Sequence, residues 1–122
     1  MNIQNLSVLE GENLIANTPP LSCYGDGKWV VAYLVDSNDR GILRIKYSSS
    51  LNGPWTTKDI WTSYSPAYYC VLNSLTFGNG YWVIAGAISN SSKSKWKAVY
   101  STDLINWENF SWRDGTQRSI GM

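Results

Sequence analysis

Apolar residues along this chain fall into short runs separated by polar turns, and the pattern occurs twice. Residues 24–32 read YGDGKWVVA and residues 77–85 read FGNGYWVIA, an offset of 53 residues. The offset persists downstream, where residues 47–51 correspond to residues 100–104. No long segment of the sequence has the period of about 3.6 residues that marks an amphipathic helix. The pattern therefore predicts an all-β chain built from two copies of one unit.

Each unit is predicted to be a four-stranded antiparallel meander that begins with a tight hairpin. Asp-Gly and Asn-Gly are typical of a two-residue type I′ turn, because both central positions of that turn take positive φ. The structural turn residues are Gly25, Asp26 and Gly27 in the first unit and Gly78, Asn79 and Gly80 in the second.

The later strands of each unit follow different patterns. Residues 29–35 and 82–88 are continuous apolar runs, typical of strands buried on both faces. The third strands, residues 43–47 and, except at Val99, residues 95–100, alternate apolar and basic residues, so that one face meets a core and the other meets water. Their basic residues form either an anion-binding stripe or, as we expect, a solvated face: Arg44, Lys46, Lys95 and Lys97.

A chain of 122 residues is expected to form one domain with a modest core. Residues 3–9 lie one repeat offset before the expected fourth strand of the first unit, which predicts a lone N-terminal strand. The expected parts are an N-terminal strand and link at 1–19, the first unit at 20–61, a link at 62–71, the second unit at 72–112 and a C-terminal tail at 113–122.

A repeat of this size, with short apolar runs and glycine turns, is typical of β-propeller blades. Propellers contain about four to eight blades, so two units leave the ring open. We therefore expect a homo-oligomer of this chain, with a trimer that supplies six blades favoured over a dimer that supplies four.

Charge and composition exclude several classes of partner and site. The formal net charge of +1 gives no reason to expect nucleic acid or an acidic membrane as a partner. The chain has no histidine and two cysteines, which excludes a Cys/His metal site, and we expect no metal or cofactor. Cys23 and Cys70 do not occupy equivalent repeat positions, so a disulfide between them stays open, although we favour buried free thiols.

The sequence shows no targeting or membrane segment. Its first residues lack the basic region and apolar core of a signal peptide. No run approaches the roughly 18 apolar residues that cross a bilayer. We expect a soluble protein of undetermined compartment.

Two turn motifs resemble known blade families. Residues 101–108 read STDLINWE, similar to the S-x-D-L-x-N-W-E segment in blades of furanosidase-type glycoside hydrolases, the arabinanase, xylosidase and invertase-like enzymes. Residues 48–55 read SSSLNGPW and resemble the S-x-x-G-P-W variant. Both also resemble a loosened Asp-box of sialidase-type propellers. The resemblance covers residues 20–113 and implies structural roles for Asp103, whose carboxylate accepts backbone N–H groups of its own turn, and for Trp107.

The same resemblance does not extend to catalysis. Such enzymes need two carboxyl groups that flank the glycosidic bond. None of the nine acids of this chain matches the family's catalytic strand-one aspartate, because the corresponding strands carry Leu, Ser, Cys and Tyr. We therefore expect no catalytic residue and no enzymatic activity.

A ligand, if one binds, is expected at the rim formed by the second turns and the link between units. Tyrosines there supply stacking surfaces for a glycan, and polar side chains supply hydrogen bonds, although the tyrosines equally suit a capped core or an interface. The candidate ligand-binding residues are Asp36, Asn38, Asp39, Tyr64, Tyr68, Tyr69 and Asn90.

Three functions remain open from the sequence. The leading one is a non-catalytic binding or interaction module that recognises carbohydrate and assembles as a homo-oligomeric ring. The second is a structural component of a phage or surface fibre assembly. The third is a fragment of a propeller glycoside hydrolase.

Overall fold

The computed structural model describes residues 6–15, 18–38, 40–66, 70–89 and 94–110. These residues contain no α-helix, and they confirm the predicted all-β class. The elements are a 3-10 helix at Leu6–Leu9, and strands β1 Leu21–Gly25, β2 Lys28–Ser37, β3 Arg40–Ser48, β4 Thr56–Pro66, β5 Cys70–Gly78, β6 Tyr81–Ser89, β7 Ser94–Ser101 and β8 Glu108–Phe110.

The strands form two four-stranded antiparallel sheets. The first sheet has the order β1-β2-β3-β4 and the second has the order β5-β6-β7-β8. Neighbours in the sheet are neighbours in the chain, as in a meander. Neither sheet closes on itself among the described residues.

Local turn chemistry explains the first hairpin of each sheet. Asp26 and Gly27 lie between paired β1 and β2 with φ of 50° and 75°. Asn79 and Gly80 lie between β5 and β6 with φ of 52° and 83°. A type I′ turn requires positive φ at both central residues, which Asp, Asn and Gly tolerate best.

The two sheets stack front to back. We define the front face of the first sheet by Trp29, Val31 and Tyr33, and the front face of the second sheet by the residues one repeat offset later, Trp82, Ile84 and Gly86. Successive side chains in a strand point to opposite faces, so Val30, Ala32 and Leu34 lie on the back of the first sheet.

That back face packs against the front face of the second sheet. One buried cluster joins Val30, Ala32 and Leu34 to Trp82 and Ile84. The sheets thus bury two different faces against each other, unlike a sandwich that is related by a two-fold axis.

An aromatic pair occurs at the same position in both sheets. The ring centroids of Tyr24 and Trp29 are 4.5 Å apart with an interplanar angle of 49°, and those of Phe77 and Trp82 are 4.6 Å apart at 47°. Trp82 is only 1% exposed because the first sheet covers it, whereas Tyr24 is 55% exposed. Trp29 and Phe77 are both partly buried, so the pair of the second sheet is the better covered and Tyr24 is the exposed ring of the first.

The N-terminal segment departs from the predicted strand at residues 3–9. Leu6–Leu9 form a 3-10 helix, and residues 1–5 lie outside the described residues. Leu9 and Val8 pack on the front face of the first sheet against Val31 and Val35. Because β2 already pairs with a strand on each side near the hairpin, this segment covers the apolar face instead of adding a strand there.

Beyond the end of β1, the same segment continues the sheet. The backbone N–H of Ile15 donates to the carbonyl of Leu34 at 3.0 Å, and that of Asp36 donates to the carbonyl of Asn13 at 2.9 Å. Leu14 forms an isolated antiparallel bridge with Val35. We call residues 8–15 the N-terminal cap.

The connection between the sheets is shorter than the predicted link at 62–71. β4 extends to Pro66, which pairs with Arg40 at the start of β3, and β5 begins at Cys70. A long β3 supplies pairing partners for polar residues that the sequence pattern assigns to a link. The predicted tail at 113–122 lies outside the described residues. Cys23 carries a free thiol, so it is not bridged to Cys70.

Substitution of Gly80 by valine should destabilise the second sheet. Its φ of 83° is unfavourable for a β-branched residue, and a cost on the order of 1 to 3 kcal/mol is expected. Gly80→Asn is the matched control, because asparagine tolerates positive φ. Chemical denaturation of the two variants should place Gly80→Val well below Gly80→Asn in stability, and equal stabilities would contradict the turn geometry.

Candidate functional site

A cluster of charged and polar side chains lies beneath the N-terminal cap, on the front face of the first sheet. Tyr33 of β2 pairs across the sheet with Arg44 of β3, and Arg44 pairs with Asp59 of β4. Glu12 of the cap and Lys46 of β3 complete the group. We call these five residues the Glu12 cluster.

Glu12 is held by three side chains from the sheet. Arg44 Nη1 donates to Glu12 Oε1 at 2.7 Å, and Tyr33 Oη donates to Glu12 Oε2 at 2.8 Å. Lys46 Nζ lies 3.5 Å from Oε2. Only 12% of the Glu12 side chain is exposed. The carboxylate therefore loses most of its water and gains hydrogen-bond donors in return.

Arg44 joins the two carboxylates of the cluster. Its Nε donates to Asp59 Oδ1 at 2.5 Å and its Nη2 donates to Asp59 Oδ2 at 3.2 Å. This two-point contact uses the fork geometry of the guanidinium. Two acids and two bases leave the cluster with no net formal charge.

The surroundings set the protonation states of the cluster. Burial raises the pKa of Glu12, but hydrogen bonds from Tyr33 and Arg44 and the charges of Arg44 and Lys46 together bring that pKa below its ordinary value. Burial and the hydrogen bond to Glu12 raise the pKa of the Tyr33 phenol. The hydrogen bond to Asp59 raises the pKa of Arg44. Glu12 is therefore ionised and Tyr33 protonated at neutral pH.

This arrangement suits attachment of the cap and does not suit acid catalysis. A glycosidase acid must carry a proton near neutral pH, usually because its pKa is raised. The pKa of Glu12 moves the other way, and both of its oxygens are occupied. We therefore assign the Glu12 cluster to fastening the N-terminal cap on the first sheet.

Sequence reasoning did not identify this cluster. Arg44 and Lys46 were expected on a solvated face, but they are only 24% and 19% exposed at the side chain and face the cap. Lys95 and Lys97 have side chains outside the described part. A difference between the two repeats marks this cluster in the sequence. Tyr33 and Lys46 of the first unit occupy the positions of Gly86 and Val99 in the second unit, which lie on a covered face.

The predicted ligand rim is described only in part. Asp36 and Asn38 lie at the turn between β2 and β3, and the backbone of Tyr64 in β4 runs to the same end of the first sheet. The carbonyl of Asp36 accepts a hydrogen bond from Asn13 Nδ2 at 2.9 Å, which ties this end to the cap. The remaining candidates lie outside the described residues: Asp39, Tyr68, Tyr69 and Asn90.

Asp103 organises the turn between β7 and β8. Its Oδ1 accepts the backbone N–H groups of Ile105 at 2.9 Å and Asn106 at 2.8 Å. Its Oδ2 accepts from Asn106 Nδ2 at 3.0 Å. These hydrogen bonds, led by the backbone of Asn106, hold the pKa of Asp103 well below its usual range.

Neighbouring side chains complete this turn. The backbone N–H groups of Asp103 and Leu104 donate to Ser101 Oγ at 3.1 and 2.9 Å. Trp107 Nε1 donates to the carbonyl of Leu104 at 3.0 Å. The side chains of Asp103 and Trp107 thus form hydrogen bonds with backbone groups of their own turn.

The corresponding turn of the first sheet makes similar bonds with serine. Ser48 Oγ accepts the N–H of Ser50 at 3.0 Å, as Ser101 does for Asp103. Ser50 Oγ accepts the N–H of Asn52 at 3.2 Å, as Asp103 does for Ile105. The shorter serine side chain has one oxygen where aspartate has two.

The apolar space between the sheets does not form a ligand pocket. It is a cavity of about 20 Å³, room for about one water molecule. Its lining is almost wholly apolar and comes from both sheets: Leu34, Leu43, Trp61, Val71, Leu72, Ile84, Gly86 and Val99.

The described residues show neither a metal-binding cluster nor a membrane-spanning helix. They hold no group of three or more His, Cys, Asp or Glu side chains placed to bind a metal. They also include no helix with the length and apolar character needed to cross a bilayer.

These features define an all-β protein of two stacked sheets with a capped first face. Comparisons with protein-family models, with curated proteins and with solved structures each found no match. The resemblance to furanosidase-type and Asp-box propellers therefore rests on the turn motifs alone.

Loss of the Glu12 carboxylate should loosen the cap in a pH-dependent way. Glu12→Gln should cost about 1.5 to 3 kcal/mol at neutral pH, the usual contribution of hydrogen bonds to a charged group. Because the folded pKa is below the ordinary value of 4.5, this contribution is complete above that pH and is lost as pH falls through the folded pKa.

Thermal unfolding from pH 7 to pH 2 measures this effect. The stability difference between wild type and Glu12→Gln should narrow below about pH 4.5. The exposed Glu10, replaced in Glu10→Gln, is the matched control and should leave stability unchanged. A Glu12→Gln protein as stable as wild type at neutral pH would contradict the role of the cluster.

Replacements of Asp103 should lower stability in the order of the acceptors that they remove. Asp103→Ser retains one oxygen, as Ser50 does in the first sheet, whereas Asp103→Ala retains none. The melting temperature should therefore fall from wild type to Asp103→Ser and again to Asp103→Ala. Identical melting of the alanine variant and wild type would argue against a structural role.

Proposed function

We propose that this protein is a non-catalytic interaction module whose two sheets are propeller-like blades that assemble with further copies of the chain. The front-to-back stack carries this proposal. When unlike faces meet, each added unit leaves a new face of the same kind, so stacking can continue until a rotation closes it. In a sandwich with two-fold symmetry, the two matching faces would bury each other, and no such face would remain for a further unit.

The open aromatic pair on the first sheet supports such assembly. Tyr24 and Trp29 repeat the geometry of Phe77 and Trp82, yet the second of the two described sheets packs on the opposite face of the first. Tyr24 is exposed where its counterpart Phe77 is partly buried, and this exposed ring marks a surface suited to a neighbouring sheet.

Non-catalytic function is supported by the described acids. Glu12 and Asp59 are bound by Arg44, and Asp103 is bound by its own turn. These acids are committed to structural contacts, and none is paired with a second carboxyl group across an open cleft. Glu12, Asp59 and Asp103 are therefore poorly suited to form the carboxyl pair that glycoside hydrolysis requires.

The cap and a neighbouring sheet compete for part of the same face. Leu9 covers Val31 and Val35 on the first sheet, and the corresponding front face of the second sheet is covered by a sheet instead. Full stacking of a second copy therefore requires the cap to move. A ring of three copies, with six blades, is the closed form that we favour.

Light scattering coupled to size exclusion tests this function. Wild type at micromolar concentration should elute as an oligomer of the 13.7 kDa chain, with a trimer as the favoured species. Glu12→Lys places a positive charge beside Arg44 and Lys46, so it should release the cap and strengthen association. Circular dichroism of the variant should still show β-structure. Monomers of both proteins would overturn the proposal.

A further inference from the structure

The contact between the sheets includes a ring seated on a glycine. A Cβ atom added to Gly25, at the end of β1, would lie 2.6 Å from Cδ2 of Phe77 in β5. Real Cβ atoms do not approach carbon so closely, so the Phe77 ring occupies space that only glycine leaves. We call Phe77 the knob and Gly25 the socket of the internal contact.

The repeat supplies a second knob and a second socket. One offset of 53 residues relates Phe77 to Tyr24 and Gly25 to Gly78. Tyr24 is 55% exposed. A Cβ atom added to Gly78 would meet no described atom within 4 Å, and Gly78 is exposed. The chain thus has an aromatic knob open at its front and a glycine socket open at its back.

Tyr24 is already held in the orientation that the internal knob uses. Its ring contacts Trp29 at a centroid distance of 4.5 Å, and Phe77 contacts Trp82 at 4.6 Å with nearly the same angle. Each tryptophan is the second residue after its hairpin turn, at an equivalent position of the repeat. A knob that is fixed before binding loses little entropy when it docks.

The cap leaves this knob accessible. Leu9 and Val8 pack with Val31, Tyr33 and Val35, which lie farther along β2 from the hairpin. Tyr24 and Trp29 lie at the hairpin end of the same face. First contact by a second copy therefore does not require the cap to leave.

Among the described residues, nothing in the fold of a single chain requires glycine at position 78. Its φ is not in the left-handed region, and a side chain there would have room. Gly25, in contrast, is required by the Phe77 ring. A missing side chain at Gly78 matches what a docked ring would need.

We propose, resting on the self-assembly proposed above, that Tyr24 of one copy seats on Gly78 of the next copy. The partner is thus a second copy of this chain, joined front to back. This contact between two chains would have the same form as the contact between Phe77 and Gly25 within one chain. The phenol hydroxyl of Tyr24, which Phe77 lacks, stays at the wet rim beside the hairpin turns.

The first experiment uses substitutions that fill the socket or remove the knob. Gly78→Val and Tyr24→Ala should each raise the dissociation constant of the oligomer at least tenfold in sedimentation equilibrium. Gly78→Val should leave the folded monomer intact, because its side chain meets open space. Gly25→Val, which meets Phe77, should instead lower the melting temperature of the monomer.

The outcomes separate this contact from self-assembly itself. If wild type is monomeric throughout the concentration range, both proposals fail. If wild type assembles and both Gly78→Val and Tyr24→Ala assemble equally well, the contact is wrong while the proposed function stands. Loss of assembly in both variants, with monomer stability retained, supports the contact.

A cross-linking experiment tests the pairing directly. In the internal contact, Phe77 Cβ lies 3.0 Å from the Cβ position of Gly25, close to the range of about 3.5 to 4.5 Å in disulfides. Tyr24→Cys and Gly78→Cys, each prepared with Cys23→Ser and Cys70→Ser, should form a disulfide-linked heterodimer when mixed and mildly oxidised.

The matched control replaces the Tyr24→Cys protein with Ser37→Cys, an exposed position at the far end of β2. Mass spectrometry of peptides identifies the linked residues. A Tyr24→Cys and Gly78→Cys mixture that forms no more heterodimer than the control would overturn the contact.

Discussion

Val30, Ala32 and Leu34 of β2 are buried in one cluster with Trp82 and Ile84 of β6, and this contact holds the two sheets together. A four-stranded sheet with one uncovered apolar face is poorly stable in water. Each sheet therefore depends on the other. The type I′ hairpins contribute to this dependence because they bring β1 and β5 into position, where Phe77 meets the backbone of Gly25.

The front face of the first sheet also carries apolar residues, but the N-terminal cap covers it in place of a sheet. Leu9 of the cap makes the apolar contacts that a second sheet would otherwise make with this face. Glu12 accepts hydrogen bonds from Tyr33 and Arg44 on the same face. A partly buried carboxylate is stable there because donors satisfy both oxygens. The cap is therefore specific for this face, since the second sheet has Gly86 where the first has Tyr33.

Much of the fold followed from local sequence signals. Asp26-Gly27 and Asn79-Gly80 determine their hairpins through backbone preference alone, and Asp103 bonds to residues within its own turn. Glu12 could not be placed in the same way, because its partner Arg44 is 32 residues away and an alternating strand looks the same whether water or a polar cap lies over it. The end of β4 at Pro66 was also hidden, because pairing with β3 overrides the polar composition of that segment.

Front-to-back stacking has a consequence for how such a chain can change in length. Each of the two sheets has one front face and one back face, so a further sheet of the same kind added behind the second would create no new type of interface. The segment at residues 8–15 is different, because it fits only a unit that carries Tyr33, Arg44 and Lys46. A further sheet behind the second is therefore compatible with these contacts, whereas the sheet beneath the cap must keep its own charges.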